Sequence, residues 1–274
     1  MTRIQLLSDL HLDLHTSYEC EIPVTAPTLL ICGDIGRAND SRYTVFLSSL
    51  AERRATGEGW ERILVVLGNH EPLASSWDQA RAVIEAVAAE SAKNGGSAVE
   101  IMWRRRVDID ERTTVLGCTL FSNIPPDKRQ IVEDRMPEFG LVEGWTVDKH
   151  NAEHEEEVRW FRREIEKCRN EGRKLIVATH HAPLVEGTSP ERYEASPHVS
   201  GFATDVLCCS DDSDSHGYQA ESLGWEGVDV WAFGHTHKNV DMIVGGIRVV
   251  SNQRGGRHPS EPEGTWDPGY VVQV

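Results

Sequence analysis

The sequence predicts an α/β fold. Short apolar runs recur along the chain, and stretches of helical periodicity separate them, which is the signature of strands alternating with helices. The composition allows such a fold: of 274 residues 39% are hydrophobic and 26% charged, with 23 Gly and 12 Pro, so the chain can bury a core and wholesale disorder is excluded. No internal repeat or low-complexity linker interrupts it. The reading is therefore a single domain over 1–274, with a lid or loop insertion at about 186–222.

Taken in order, the first two strands are Ile4–Leu7 and Thr28–Cys32. A helix over Ser41–Ala55 leads to a third strand, Ile63–Leu67, and a helix over Ser76–Lys93 leads to a fourth, Val115–Leu120. The longest helix is expected over Asp148–Asn170. Asp148 reads as its N-cap, Glu155–Glu157 place negative charge in its early turns, and Gly172 reads as its stop. Leu175–Ala178 and Val228–Phe233 follow as strands. Asp241–Val250 reads as a hairpin around Gly245-Gly246, and Tyr270–Val274 as a closing strand. Between Tyr193 and His237 there is no Lys or Arg, whereas Glu194, Asp205, Asp211, Asp212, Asp214, Glu221, Glu226 and Asp229 supply half of the net charge of −16. The centre of this stretch, Cys208–Tyr218, is polar and unpatterned and reads as a surface loop or lid, and if Tyr193–Asp214 covers the site it would favour a substrate with a cationic end.

Charge and hydropathy narrow the function. No stretch approaches the roughly 20 apolar residues of a membrane span. Strong acidity disfavours nucleic-acid polymers, which are held by clustered Lys and Arg. A small phosphate substrate stays open, because a metal can supply positive charge locally. Cys20, Cys32, Cys118, Cys168, Cys208 and Cys209 form no CxxC pair or disulfide framework. Met1 runs straight into a strand-like segment without room for a signal peptide, so a cytoplasmic location is expected. The oligomeric state is open.

Five apolar runs end in residues that ligate metals: Asp9 and His11, Asp34, Asn69-His70-Glu71, His180-His181, and His235 with His237. In open α/β sheets sites form beyond the carboxyl ends of strands, so these endings can converge. Asp, Asn and His suit Mn, Fe, Zn or Ni, and no thiolate is among them. Residues i and i+2 of extended backbone share a face, so both members of Asp-x-His and of His-x-His can point into one site.

This series resembles the calcineurin-like metallophosphoesterase superfamily, whose pattern is Asp-x-His, Gly-Asp, Gly-Asn-His-Asp/Glu, a later His and Gly-His-x-His; the match runs from residue 9 to 237. The resemblance implies a two-sheet β-sandwich flanked by helices and a pair of divalent ions. Asp9, His11 and His237 would bind the first ion, Asn69, His180 and His235 the second, and Asp34 both. Two divalent ions against two carboxylates leave about +2, an anion attractor in an acidic protein. They would acidify a bridging water as nucleophile and clamp a phosphoryl oxygen. His70 would protonate the leaving group, with Glu71 holding its tautomer. Arg37, Asn123, His181 and Arg254 are substrate-binding candidates, the arginines through their bidentate grip on oxyanions.

Departures from the pattern narrow it further. Gly33-Asp34-Ile35-Gly36-Arg37 lacks the second acid of the protein phosphatases, and Leu67 stands where they carry Arg. Arg37 replaces the Tyr of the purple acid phosphatases. What remains is a hydrolase of small phosphoesters, diesters or monoesters, similar to the compact Ser-Asp-Leu-His, cyclic-nucleotide phosphodiesterase-like members. A dimetal hydrolase of another bond and a non-catalytic scaffold of the same fold are the alternatives.

Overall fold

The structure, a computed structural model, describes residues 1–207, 224–256 and 264–274. Its strands form two mixed sheets. The first joins β1 (Arg3–Leu7), β2 (Thr28–Cys32), β3 (Arg62–Val66) and β4 (Ala98–Ile101) in parallel, and β11 (Val271–Gln273) runs antiparallel to β1 at the edge. The second joins β6 (Thr113–Gly117), β7 (Lys174–Ala178), β8 (Val230–Phe233) and β10 (Ile247–Ser251) in parallel. Antiparallel β5 (Arg105–Asp108) and β9 (Asp241–Val244) form its edges.

The alternation of strand side chains explains why the sheets stack. Ile4, Leu6, Leu30, Cys32, Leu64 and Val66 of the first sheet meet Val115, Ile176, Ala178, Val230, Ala232 and Val250 of the second in one buried cluster. The intervening residues Leu29, Ile31, Ile63 and Val65 face outward and are covered by α1 (Ser41–Glu52) and α2 (Trp77–Lys93), through Tyr43, Leu47, Trp77 and Ile84. On the far side Leu175, Val177, Trp231 and Val249 are covered by α5 (Val147–Asn170) through Phe161 and Ile165. Strands buried on both faces read as continuous apolar runs, which is how they stand in the sequence. The result is the helix–sheet–sheet–helix sandwich that the resemblance implies.

The long helices start where side chains cap them. Asp40 accepts from the Arg42 N–H, Ser76 from Gln79 and Thr146 from Lys149. Thr146 therefore takes the N-cap expected at Asp148, which lies in the first turn instead. The first helix stops at Glu52 rather than Ala55, because the chain tightens into a 3-10 turn over Arg53–Thr56 that ends on Gly57 at φ 82°. The strand expected over Val115–Leu120 starts two residues earlier and ends at Gly117, before Leu120 turns at φ 53°. Short helices α3 (Arg129–Arg135), α4 (Glu138–Leu141) and α6 (Glu191–Glu194) complete the described elements.

The buried stripe of α5 is unusual in carrying His150, His154 and Glu157. Each is spent on the chain that follows β6. Glu157 Oε2 accepts from the Phe121 N–H at 3.1 Å, His154 bonds the Phe121 carbonyl, and His150 Nε2 lies 3.1 Å from Ser122 Oγ. Asn151 holds both the N–H and the carbonyl of Ile124 at 2.9 Å. The helix thereby fixes Phe121–Ile124 beside the carboxyl ends of the strands.

Candidate metal centre

The carboxyl ends of β1, β2 and β3 in one sheet meet those of β7 and β8 in the other, and seven predicted ligands come together there. Asp9, His11 and His237 place ligand atoms within 4.8 Å of one another, as do Asp34, His180 and His235. Asn69 joins the second group, its Oδ1 3.2 Å from His180 Nε2. Asp34 lies between the groups, with Oδ2 3.7 Å from His11 Nε2 and 3.5 Å from His180 Nε2.

This convergence needs backbone that ordinary strands do not provide. Asp9, His11, Asp34, His235 and His237 all have positive φ, between 45° and 72°. The extended geometry expected for Asp-x-His and His-x-His is thus absent. His235 and His237 enter different groups instead of sharing a face. Strained φ at non-Gly residues persists only where surrounding structure enforces it, and here it gathers at one site. The motif glycines reflect the same crowding: a Cβ at Gly68 would lie 2.2 Å from Asp34 Oδ1, and one at Gly234 2.1 Å from Ser8 Oγ and 2.6 Å from Asp9 Oδ2.

Hydrogen bonds aim the ligand atoms. His180 Nδ1 donates to the Cys32 carbonyl at 2.8 Å, leaving the Nε2 lone pair for the site. His235 Nε2 faces the Gly201 carbonyl at 3.3 Å, leaving Nδ1 inward, 3.1 Å from His180 Nε2. Asp9 accepts from the His235 N–H at 3.0 Å and from Ser8 Oγ at 2.5 Å; Asp34 Oδ1 accepts from the His70 N–H at 2.8 Å. Burial opposes ionisation of both carboxyls, yet the imidazoles outweigh it. His11 and His237 hold Asp9 well below the usual range, and His180, His70 and His11 hold Asp34 down. Burial pushes His11 and His235 down, towards the neutral form that a metal requires.

The donor set fits divalent ions. His11 and His237 approach to 2.8 Å between Nε2 atoms, and the carboxylate oxygens of Asp9 and Asp34 stand 3.4–3.7 Å from the ring nitrogens. Ligands about 2.0–2.2 Å from a shared ion stand about 3.0–3.5 Å apart, so spacings of this order suit atoms that face a common point.

The remaining predicted residues separate. Glu71 does not orient His70. Its buried carboxylate accepts from the N–H groups of Asp34, Ile35 and Gly68 at 2.8–3.1 Å, pinning two motif loops together, and burial beside Asp34 pushes it up to about 8. The ring of His70 turns to Asp13 instead, with Nδ1 3.4 Å from Oδ2. Burial disfavours its charged form, but Asp34 and Asp13 prevail and raise it to about 9. His11, Asp13 and His70 also form a third close group beside the first. Arg37 Nε donates to the same Asp13 oxygen at 3.2 Å. His181 is buried behind His235, their rings 4.4 Å apart. Asn123 is exposed, its N–H on Thr204 Oγ1 at 2.6 Å, and Arg254 lies over the Trp266 ring.

Three residues escaped the sequence reading. Asp13 stands outside the five motif endings. Glu138 is fully buried and accepts from Asn69 Nδ2 at 3.1 Å, which turns Oδ1 of Asn69 inward; a lone Glu in a short helix carries no signal for this. Gln253, adjacent to the favoured Arg254, accepts from the His237 N–H at 2.6 Å and donates to the Lys238 carbonyl at 2.7 Å. Cys208, Cys209 and the acids Asp211, Asp212 and Asp214 lie outside the described residues.

A doubly layered sheet sandwich with twin His/Asp groups at its strand ends defines a class of metal-dependent hydrolases. Residues 2–239 match the calcineurin-like phosphoesterase family, and the chain belongs to it. It is a phosphoester hydrolase of a family that generally carries a dinuclear metal centre. An uncharacterized protein of Acanthamoeba polyphaga mimivirus is 23% identical over 245 residues, covering 84% of this chain and 79% of that protein. Among solved structures the fold is similar to a phosphopantetheinyl hydrolase from Mycobacterium tuberculosis (TM-score 0.62, 16% identity, 98% of both chains). It is also similar to a dimetal phosphatase from Danio rerio (TM-score 0.50, 10% identity, 91% of this chain and 86% of that one).

Proposed function

We propose that the protein hydrolyses small phosphoesters with two divalent ions, one held by Asp9, His11 and His237, the other by Asn69, His180 and His235, and both by Asp34. The observation that carries this reading is the position of Asp34 Oδ2, nearly equidistant from a histidine of each group at 3.7 and 3.5 Å. Bound ions would supply a positive field for the phosphoryl group and an acidified water for attack on phosphorus. The chain's own part is to hold and deliver a proton. His70 keeps Nδ1 towards Asp13, so Nε2 is the atom that donates to the departing oxygen. Arg37 donates to the same Asp13 oxygen, so Asp13 is held in place as it positions the ring.

Small esters rather than nucleic-acid polymers suit the net charge of −16. Among the described residues no helix is long and apolar enough to cross a membrane. The described cysteines Cys20, Cys32, Cys118 and Cys168 are free thiols, which suits a reducing cytoplasm.

The test is a panel of aryl phosphate monoesters and diesters with Mn, Fe, Zn or Ni. Metal-dependent turnover is expected, and His70→Ala should cost about 10²–10⁴-fold on esters with poor leaving groups and far less on nitrophenyl esters. A uniform loss across leaving groups would remove His70 from the proton-donor role.

A further inference from the structure

A cavity of about 290 Å³ opens beside His235 and His237. Its volume lies at the lower end of small-molecule sites. Pro190, Tyr193, Val199 and Phe202 form its apolar wall, with Ser196 and His198 beside them. The wall is built onto the metal centre. Phe202 stacks on His235 with ring centroids 4.7 Å apart and 28° between planes, and the Gly201 carbonyl faces His235 Nε2. It is also tied to the exit of β7, because the Ala182 N–H bonds the Phe202 carbonyl and the Thr204 N–H bonds the Ala182 carbonyl, each at 3.2 Å.

Among the described residues no Asp, Glu, Lys or Arg lines this cavity. Two acids of the surrounding stretch bond backbone instead: Glu194 accepts from the Gly187 N–H and Asp205 from the Val185 N–H, both at 2.8 Å. His198 faces Ser196 Oγ at 2.8 Å, and burial with Arg135 nearby lowers its affinity for a proton. Among the described residues a cationic substrate end therefore finds no carboxylate in these walls, while Asp211, Asp212 and Asp214 lie outside the described residues. A charged group placed there loses hydration and finds neither a carboxylate nor a Lys or Arg among the described residues, whereas apolar surface gains from leaving water.

Building on the proposed phosphoester chemistry, we propose that this cavity receives an uncharged aryl or similarly compact apolar group of the substrate, with Val199, Tyr193 and Phe202 setting the preference. The probes are methylphosphonate, phenylphosphonate and 4-carboxyphenylphosphonate, titrated calorimetrically into the metal-loaded protein. Phenylphosphonate should bind at least about tenfold tighter than methylphosphonate, as expected when a pocket gains several apolar atoms, and the carboxylate should cancel that gain. Val199→Trp, which fills the cavity, should bring the phenyl-to-methyl affinity ratio close to one while the protein keeps its bound metal. Tyr193→Ala, a change at an exposed edge of the wall, should lower the ratio severalfold. Equal affinity for the phenyl and methyl compounds in the unaltered protein, or a ratio that survives both substitutions, overturns the pocket assignment and leaves the metal chemistry standing. Absence of metal-dependent binding of every phosphonate overturns both.

Discussion

Asp13 shows how a single side chain can change the account of a site. In sequence it is one more acid in Ser8-Asp9-Leu10-His11-Leu12-Asp13. In space one of its oxygens faces both His70 Nδ1 and Arg37 Nε, at 3.4 and 3.2 Å. The carboxylate that faces the His70 ring is thus not the neighbouring Glu71 but one 57 positions away in the chain. The candidate ligands were legible because metal chemistry restricts such residues to a few types at strand ends. Residues that act through a ligand, such as Glu138 behind Asn69, are not restricted in type and left no trace. Asp13→Asn is expected to cut turnover of an alkyl phosphoester about tenfold to a hundredfold, by mis-setting the His70 ring, and to spare a nitrophenyl ester. Equal losses on both, read as kcat for each ester, would make Asp13 merely structural.

At the scale of elements, legibility followed burial. β2 is recovered over its full extent and the other strands that feed the site to within a few residues, because both of their faces are covered. β4 and β5 lie at sheet edges and do not stand out in the sequence: Ala98-Val99-Glu100-Ile101 is short and broken by Glu100, and Arg105-Arg106-Val107-Asp108 has a single apolar residue. Helix α5 was found from its length and period, but not the use of its polar stripe. That stripe has a consequence for stability. Burial, with His154 nearby, pushes His150 down to about 3, so the folded state holds it neutral. A group whose folded pKa is depressed stabilises above its unfolded value of about 6.5 and loses that contribution as pH falls towards the folded value. Stability should therefore fall below pH 6.5, with His150 contributing about 1.4 kcal/mol per pH unit once the unfolded state is charged. Urea denaturation of His150→Gln from pH 7 to 5 should show a shallower decline than the unaltered chain. An identical slope would contradict the assignment.

Across the whole molecule the two sheets bring strand ends that are distant in sequence to one place. Ser8, after β1, bridges to Gln253, after β10, and the Asp9 carboxylate receives the His235 N–H. The order of the motifs was readable, but the left-handed turns that let five of the ligands converge were not, since each depends on contacts made by the other sheet. The net charge of −16 was legible as well, and it describes the surface, whereas the two ions implied at the strand ends would reverse its sign locally. The account rests on Asp34 serving both ions, and metal content measured together with phosphoesterase activity tests this most directly. The unaltered protein should hold two ions per chain, and Asp34→Asn should hold fewer and lose its activity. An Asp34→Asn protein that keeps two ions and full turnover would contradict the account.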